Sequence, residues 1–143
     1  MGGLALNART TDSLLNNFER MFRVNHAWIE ELRSSLIDRS SSIVLIFVDL
    51  DNVPRFFERV NKPMLARLPF EVFIVCSARS TRHIEWRSTG RMHFSLANPT
   101  KDAADAVCAV AAAKLDSILV GFNRQGNVPL VTVSDDKIFQ QVL

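Results

Sequence analysis

Carboxylates gather at three places in this chain, each at the end of an apolar stretch. Asp49-Leu50-Asp51-Asn52 follows the run from Ile43 to Val48. Lys101-Asp102-Ala103-Ala104-Asp105 opens an alanine-rich stretch, and Ser134-Asp135-Asp136 follows the run from Val128 to Val133. Carboxylates at the ends of buried parallel strands converge on one edge of a sheet, where open α/β folds bind their ligands. Converging carboxylates repel one another, and a divalent cation relieves the repulsion. The chemistry that follows is metal-dependent attack on a phosphate ester.

Each acid also has a structural explanation. If strand geometry persists through Leu50, Asp49 and Asp51 point to one face. One then binds a metal directly and the other holds a bound water. The structural alternative is a cap on the next helix, for which Asn52 is the better candidate. Asp102 and Asp105 fall in the first turn of a helix, where the macrodipole favours acids. Spaced three apart, they share a face. Asp105 precedes the nearly all-apolar stretch from Ala106 to Ala113, so it lies on or beside the buried side, where an uncompensated carboxylate is costly. Lys101 either neutralises this cluster, touches a phosphate or is a solvated surface lysine. Of Asp135 and Asp136, one ligates metal or orients water and the other caps the last helix.

These residues must be held by regular elements. The runs at 43–50, 70–76, 92–96 and 128–134 read as strands, and the first two have the continuous apolar character of strands covered on both faces. Pro54 suits the first turn of a helix, and Phe56, Phe57 and Val60 give that helix an apolar side. A short helical turn is expected at 64–68 between Pro63 and Pro69, a helix or helical loop at 80–89, a strong helix at 101–119 and a last helix from Lys137. Strand and helix alternate, which predicts an α/β fold with a central, mainly parallel sheet. Ahead of it, Leu14, Phe18, Met21, Phe22, Trp28, Ile29, Leu32 and Leu36 recur at helical spacing. They predict one amphipathic helix from Asp12 or Ser13 to about Asp38. The expected division is an N-terminal extension over 1–41 and a domain over 42–143. The chain stops a few residues into its last helix, so a domain truncated at its C-terminal end is one expectation.

Composition narrows the classes. The chain has 143 residues, about one domain, and 48% of them are hydrophobic, enough for a core. A net charge of +2 does not by itself mark a nucleic-acid binder, but Arg79, Arg82, Arg87 and Arg91 are concentrated in one stretch with His83 and His93 beside them. These arginines suit a nucleic-acid backbone, with Trp86 or Phe94 as stacking surfaces; the alternative is a solvated loop with Trp86 in the core. Cys76 and Cys108 lie in apolar segments and read as buried reduced thiols. Without a CxxC pair or histidine at ligand spacing there is no zinc motif. His26, His83 and His93 are isolated, and Ser77 and Ser134 have no local histidine and aspartate to form a nucleophilic triad. No apolar run reaches the roughly 20 residues needed to span a bilayer, and the first residues lack the basic-then-apolar layout expected of a secretory signal. The expected setting is intracellular, in the nucleus, the cytoplasm or an organelle.

Taken together, Phe-Val-Asp-Leu-Asp-Asn at 47–52, Lys-Asp-Ala-Ala-Asp at 101–105 and Ser-Asp-Asp-Lys-Ile-Phe at 134–139 resemble the PIN-like nuclease superfamily. The NYN-type branches are included, as is the kind of PIN-like domain found in a zinc-finger SUMO ligase. The resemblance covers about residues 43–143 and leaves out the N-terminal helix. It implies a PIN-like three-layer sandwich and a Mg²⁺- or Mn²⁺-dependent ribonuclease. By position, Asp49, Asp105 and Asp136 match the family's catalytic acids, with Asp51 and Asp135 as further metal ligands. Asn52 matches the NYN asparagine, while Asp51 stands where that branch often has Glu. Lys101, Asp102 and Ser134 belong to the same blocks as supporting residues. Asp135 departs from the pattern, standing where Gly is often found, and the family's final acidic position and last strand fall beyond Leu143.

Two other readings stand beside this one. Asp-Leu-Asp-Asn-Val after an apolar strand also resembles the first motif of haloacid-dehalogenase-type phosphatases. Asp49 would then be the nucleophile and Asp51 the acid-base, with Ser77, Lys101 and Asp135 or Asp136 imitating the later motifs. Against it, the loop after Asp51 lacks the Gly or Thr common there. The third reading is a catalytically inactive PIN-like domain that serves as an RNA- or protein-binding scaffold in a ribonucleoprotein complex. RNA is the expected partner. The N-terminal helix either covers the chain's own sheet, which is the commoner use of such a stripe, or docks on a protein partner or a second copy.

Overall fold

In a computed structural model of the chain, residues 8–56, 63–64, 67–79, 92–96 and 103–133 are described, without the side chains of 8–9, 92–96 and 105. The elements run α1 (Ala8–Phe22), α2 (His26–Ile37), β1 (Ile43–Asp49), β2 (Glu71–Ala78), β3 (Met92–Leu96), α3 (Ala103–Gly121) and β4 (Leu130–Val133). The four strands form one sheet in the order β3-β2-β1-β4, and every neighbouring pair is parallel. The chain is therefore α/β, as the alternation of apolar runs predicts.

The continuous apolar character of β1 and β2 follows from burial on both faces. Leu45, Phe47, Phe73 and Val75 pack with Cys108, Ala111 and Leu115 of α3 and with the buried residues of α1 and α2. Val48, Ile74, Cys76 and Ala78 point the other way and pack with Leu50, Val53, Phe56, Leu68 and Phe70. Each fully buried large apolar side chain contributes about 1.5–3 kcal/mol relative to exposure.

The N-terminal stripe covers the chain's own sheet. Trp28 stacks on Phe18 with ring centroids 5.9 Å apart and meets Phe73 of β2 edge-on at 5.6 Å. The single long helix expected from that stripe is instead two. Arg23 adopts a left-handed φ of 52°, and the Val24 N–H reaches back to the Glu19 carbonyl at 3.0 Å, which is a Schellman stop. Asn25 then caps α2, its side chain accepting the Ala27 N–H at 2.9 Å. Apolar periodicity continues across the break because both helices bury the same side, so periodicity alone misses it; the signal was Asn25, a favoured N-cap residue.

The same device ends α3. Asn123 has φ 57°, and the Arg124 N–H bonds the Leu119 carbonyl at 2.8 Å. This turn delivers Arg124, only 2% exposed, to the end of α2. Its Nη1 donates to the carbonyls of Ser35, Leu36 and Asp38, its Nη2 to that of Ser41 at 2.8 Å, and its Nε to Asn127. A helix C-terminus leaves its last carbonyls without intrahelical donors, and one guanidinium fork meets several of them.

The expected strand limits shift slightly: β2 runs on through Ala78 and β4 starts at Leu130. Pro63 and Met64 are helical, and Arg67 N–H bonds the Met64 carbonyl at 3.2 Å. The segments expected as helices at 80–89 and from Lys137 lie outside the described residues, as do Phe57 and Val60. Among the described residues, no helix is long and apolar enough to cross a membrane.

Candidate functional site at the carboxyl edge of the sheet

The strand order fixes one special position. The chain builds outward from β1 through β2 to β3, then crosses to place β4 on the other side of β1. The order reverses between β1 and β4, and in open α/β sheets ligands bind at the carboxyl ends of the strands at such a switch point. Asp49 is the last residue of β1. Since β3 and β4 are both parallel to β1, α3 runs back from the carboxyl edge to the amino edge, and its first turn lies at the same edge as Asp49.

Asp49 is 2% exposed. Its Oδ1 accepts the Asp51 N–H at 3.1 Å, its Oδ2 accepts the Asn52 side-chain amide, and its carbonyl accepts the Val53 N–H at 3.0 Å. The carboxylate thus closes an Asx-type turn at the end of the strand. Asn52, expected as a cap, instead donates to Asp49 and holds its carboxylate in place. The condition under which Asp49 and Asp51 would share a face is not met, because the strand ends at Asp49 and a turn begins at Leu50. Asp51 is carried across to the end of β2, where it accepts the Arg79 N–H at 2.9 Å and Arg79 Nε at 3.1 Å. Arg79, expected at an RNA backbone, is therefore engaged with Asp51 in this structure.

Ser77 of β2, which the sequence offers only as a serine without a triad or as an imitation of a later phosphatase motif, stands beside Asp49. It is the Cα partner of Asp49 in the parallel register, so the two side chains leave the sheet on the same face, the one that α3 covers. Ser77 is fully buried, and among the described residues its Oγ has no hydrogen-bond partner. The available signal was its place at the end of a buried strand.

The remaining expected site residues are only partly covered. Asp105 lies in the first turn of α3 at the carboxyl edge, but its side chain is outside the described residues. Lys101, Asp102, Ser134, Asp135, Asp136, Arg82, Arg87 and Arg91 lie outside them altogether. Val133, which precedes Ser134, pairs with Val48 beside the end of β1. Among the described residues, no three His, Cys, Asp or Glu side chains are grouped to hold a metal. The described donors at this edge, Asp49 and Ser77, are oxygens, the ligand type that hard cations take. A carboxylate has about four lone-pair sites, so the two hydrogen bonds to Asp49 leave capacity for one. No ion pair engages Asp49 among the described residues, and the nearby Ser77 hydroxyl is oxygen chemistry of the kind that suits Mg²⁺ or Mn²⁺.

No family model, no curated protein and no solved structure matches this chain.

Proposed function

We propose that the chain is a PIN-like domain with a metal-dependent ribonuclease site that hydrolyses RNA phosphodiester bonds. The observation that carries this reading is Asp49, a buried carboxylate with no cationic side-chain partner among the described residues, at the switch point of a parallel sheet. Burying a charge is costly unless it is paired, and a bound cation supplies the pairing. In this reading Asp49, Asp105 and Asp136 hold Mg²⁺ or Mn²⁺, with Asp135 as a further ligand. Asp51 would join them through a water, while its bonds to Arg79 brace the edge. The bound cation supplies an activated water and neutralises charge on the phosphate. Asn52 fixes the Asp49 carboxylate, so its orientation needs no adjustment on binding. Lys101 and the arginines Arg82, Arg87 and Arg91 would contact RNA phosphates.

The test is cleavage of single-stranded RNA by the full chain with Mn²⁺, wild type beside Asp49→Asn and Asp105→Asn. Cleavage that disappears in both variants while they remain folded supports the reading. A folded wild type that leaves RNA intact overturns it.

One observation favours the scaffold reading. Both Asp49 oxygens already accept hydrogen bonds within the 49–53 turn, a structural role that accounts for the residue without a cation. A scaffold would bind RNA or a protein without cleavage, and Asp49→Asn would lower stability without changing any response to Mn²⁺.

A further inference from the structure

We infer that the Ser77 hydroxyl is part of the cation site, as a positioning residue that hydrogen-bonds a water on the cation held by Asp49; this rests on the metal-dependent reading above. Three observations converge on it. Ser77 and Asp49 are register partners on adjacent parallel strands, so their side chains stand side by side on one face of the sheet. Ser77 is fully buried and without a hydrogen-bond partner among the described residues, and buried hydroxyls are nearly always hydrogen-bonded, so it calls for a ligand or water. Its backbone carbonyl is already used by the Leu50 N–H at 2.9 Å, which ties the Asp49 turn to β2 and holds the two residues in register.

A second hydroxyl without a partner among the described residues provides a contrast. Thr132 Oγ1 is also buried without a partner, but its register partner is Phe47, two residues back from the edge. It has a ring beside it, whereas Ser77 has a carboxylate. Mg²⁺ and ions like it keep several waters when bound through one or two carboxylates. Groups that hydrogen-bond the inner ligands of a metal typically change its affinity 10–100-fold when removed. A serine hydroxyl can both donate and accept, so it can serve such a water in either sense.

The test is Mn²⁺ binding by the full chain, read from the loss of the free-ion electron paramagnetic resonance signal, with melting temperature measured in the absence of the ion. The variants are Ser77→Ala, Ser77→Thr and Asp49→Asn. The expected result is that wild type binds, Asp49→Asn loses binding, and Ser77→Ala weakens it by about tenfold or more. Ser77→Thr, which keeps the hydroxyl, binds more tightly than Ser77→Ala. The melting temperature of Ser77→Ala stays level or rises, since an unpartnered hydroxyl is removed. Ser77→Ala binding Mn²⁺ as tightly as wild type overturns this role for Ser77 and leaves the metal-dependent reading standing. No Mn²⁺ binding by a folded wild type overturns both.

Discussion

Arg79 donates twice to Asp51, once from its backbone N–H and once from Nε, and so fastens the turn after β1 to the end of β2. The two bonds differ in what they are worth. The side chains are 39% and 15% exposed, so the ion pair is partly solvated and contributes about 0–1 kcal/mol. The backbone bond survives truncation of arginine but not of aspartate. We expect Arg79→Ala to cost less than about 1 kcal/mol and Asp51→Ala to cost more, by the additional loss of an acceptor for a backbone N–H. Urea denaturation of both variants measures the difference; equal losses would mean that the ion pair carries the contact.

Arg124 is a buried cation bonded to carbonyls of α2 and of the turn after it, up to 89 residues away in sequence. Its removal leaves several acceptors short of donors at once. Each such loss costs about 1–3 kcal/mol when the group stays buried. Arg124→Ala should therefore be among the most destabilising single changes, at about 3 kcal/mol or more. Lysine lacks the planar fork, so Arg124→Lys should recover only part of the loss. Thermal unfolding of the two variants checks this order.

The start of α1 lies close against the end of α3 at Thr11 and Gly121. Thr11 Oγ1 donates to the Gly121 carbonyl at 3.3 Å. A Cβ at position 121 would stand 2.8 Å from that Oγ1 and 3.2 Å from Cγ2. Since Thr11 is buried, it has little room to yield. Gly121→Ala should destabilise by about 1–3 kcal/mol through overpacking. Thr11→Ala introduced with it should remove the clash, so the double variant is more stable than the sum of the two single losses implies. A double-mutant cycle reads that coupling.

Two groups set opposite pH limits. The Ser40 hydroxyl, followed by the Ser40 backbone N–H, holds the Asp38 carboxyl below its usual value of 3.8. A depressed pKa stabilises the fold above the unfolded value, and that stabilisation is lost as pH falls below about 3.8 toward the folded pKa. Asp38→Asn should flatten the acid limb of the stability profile. Burial first, and then the neighbouring Cys108, push the Cys76 thiol far above its usual 9.0. With a raised pKa the sign reverses: stability is fully present below 9.0 and falls as pH rises beyond it, where only the unfolded chain ionises readily. Cys76→Ser should weaken the alkaline limb. Denaturation midpoints across pH for wild type and both variants decide both claims.

The elements that carry their own pattern could be read directly from the residues. β1 and β2 were legible because strands buried on both faces are continuously apolar. α3 was legible because alanine dominates it, and the position of Asp49 followed from where the first apolar run stops. Arg23 hid the break between α1 and α2, since a left-handed residue other than glycine leaves no compositional mark. The strand order, the pairing of Ser77 with Asp49, the diversion of Asp51 to Arg79 and the docking of Arg124 on α2 emerge only from the folded chain. Asp51 and Arg79 are 28 residues apart, and Arg124 reaches still further along the chain. Such contacts depend on how the chain returns through its crossovers. Local periodicity reports which face of an element is buried, but not which other element buries it.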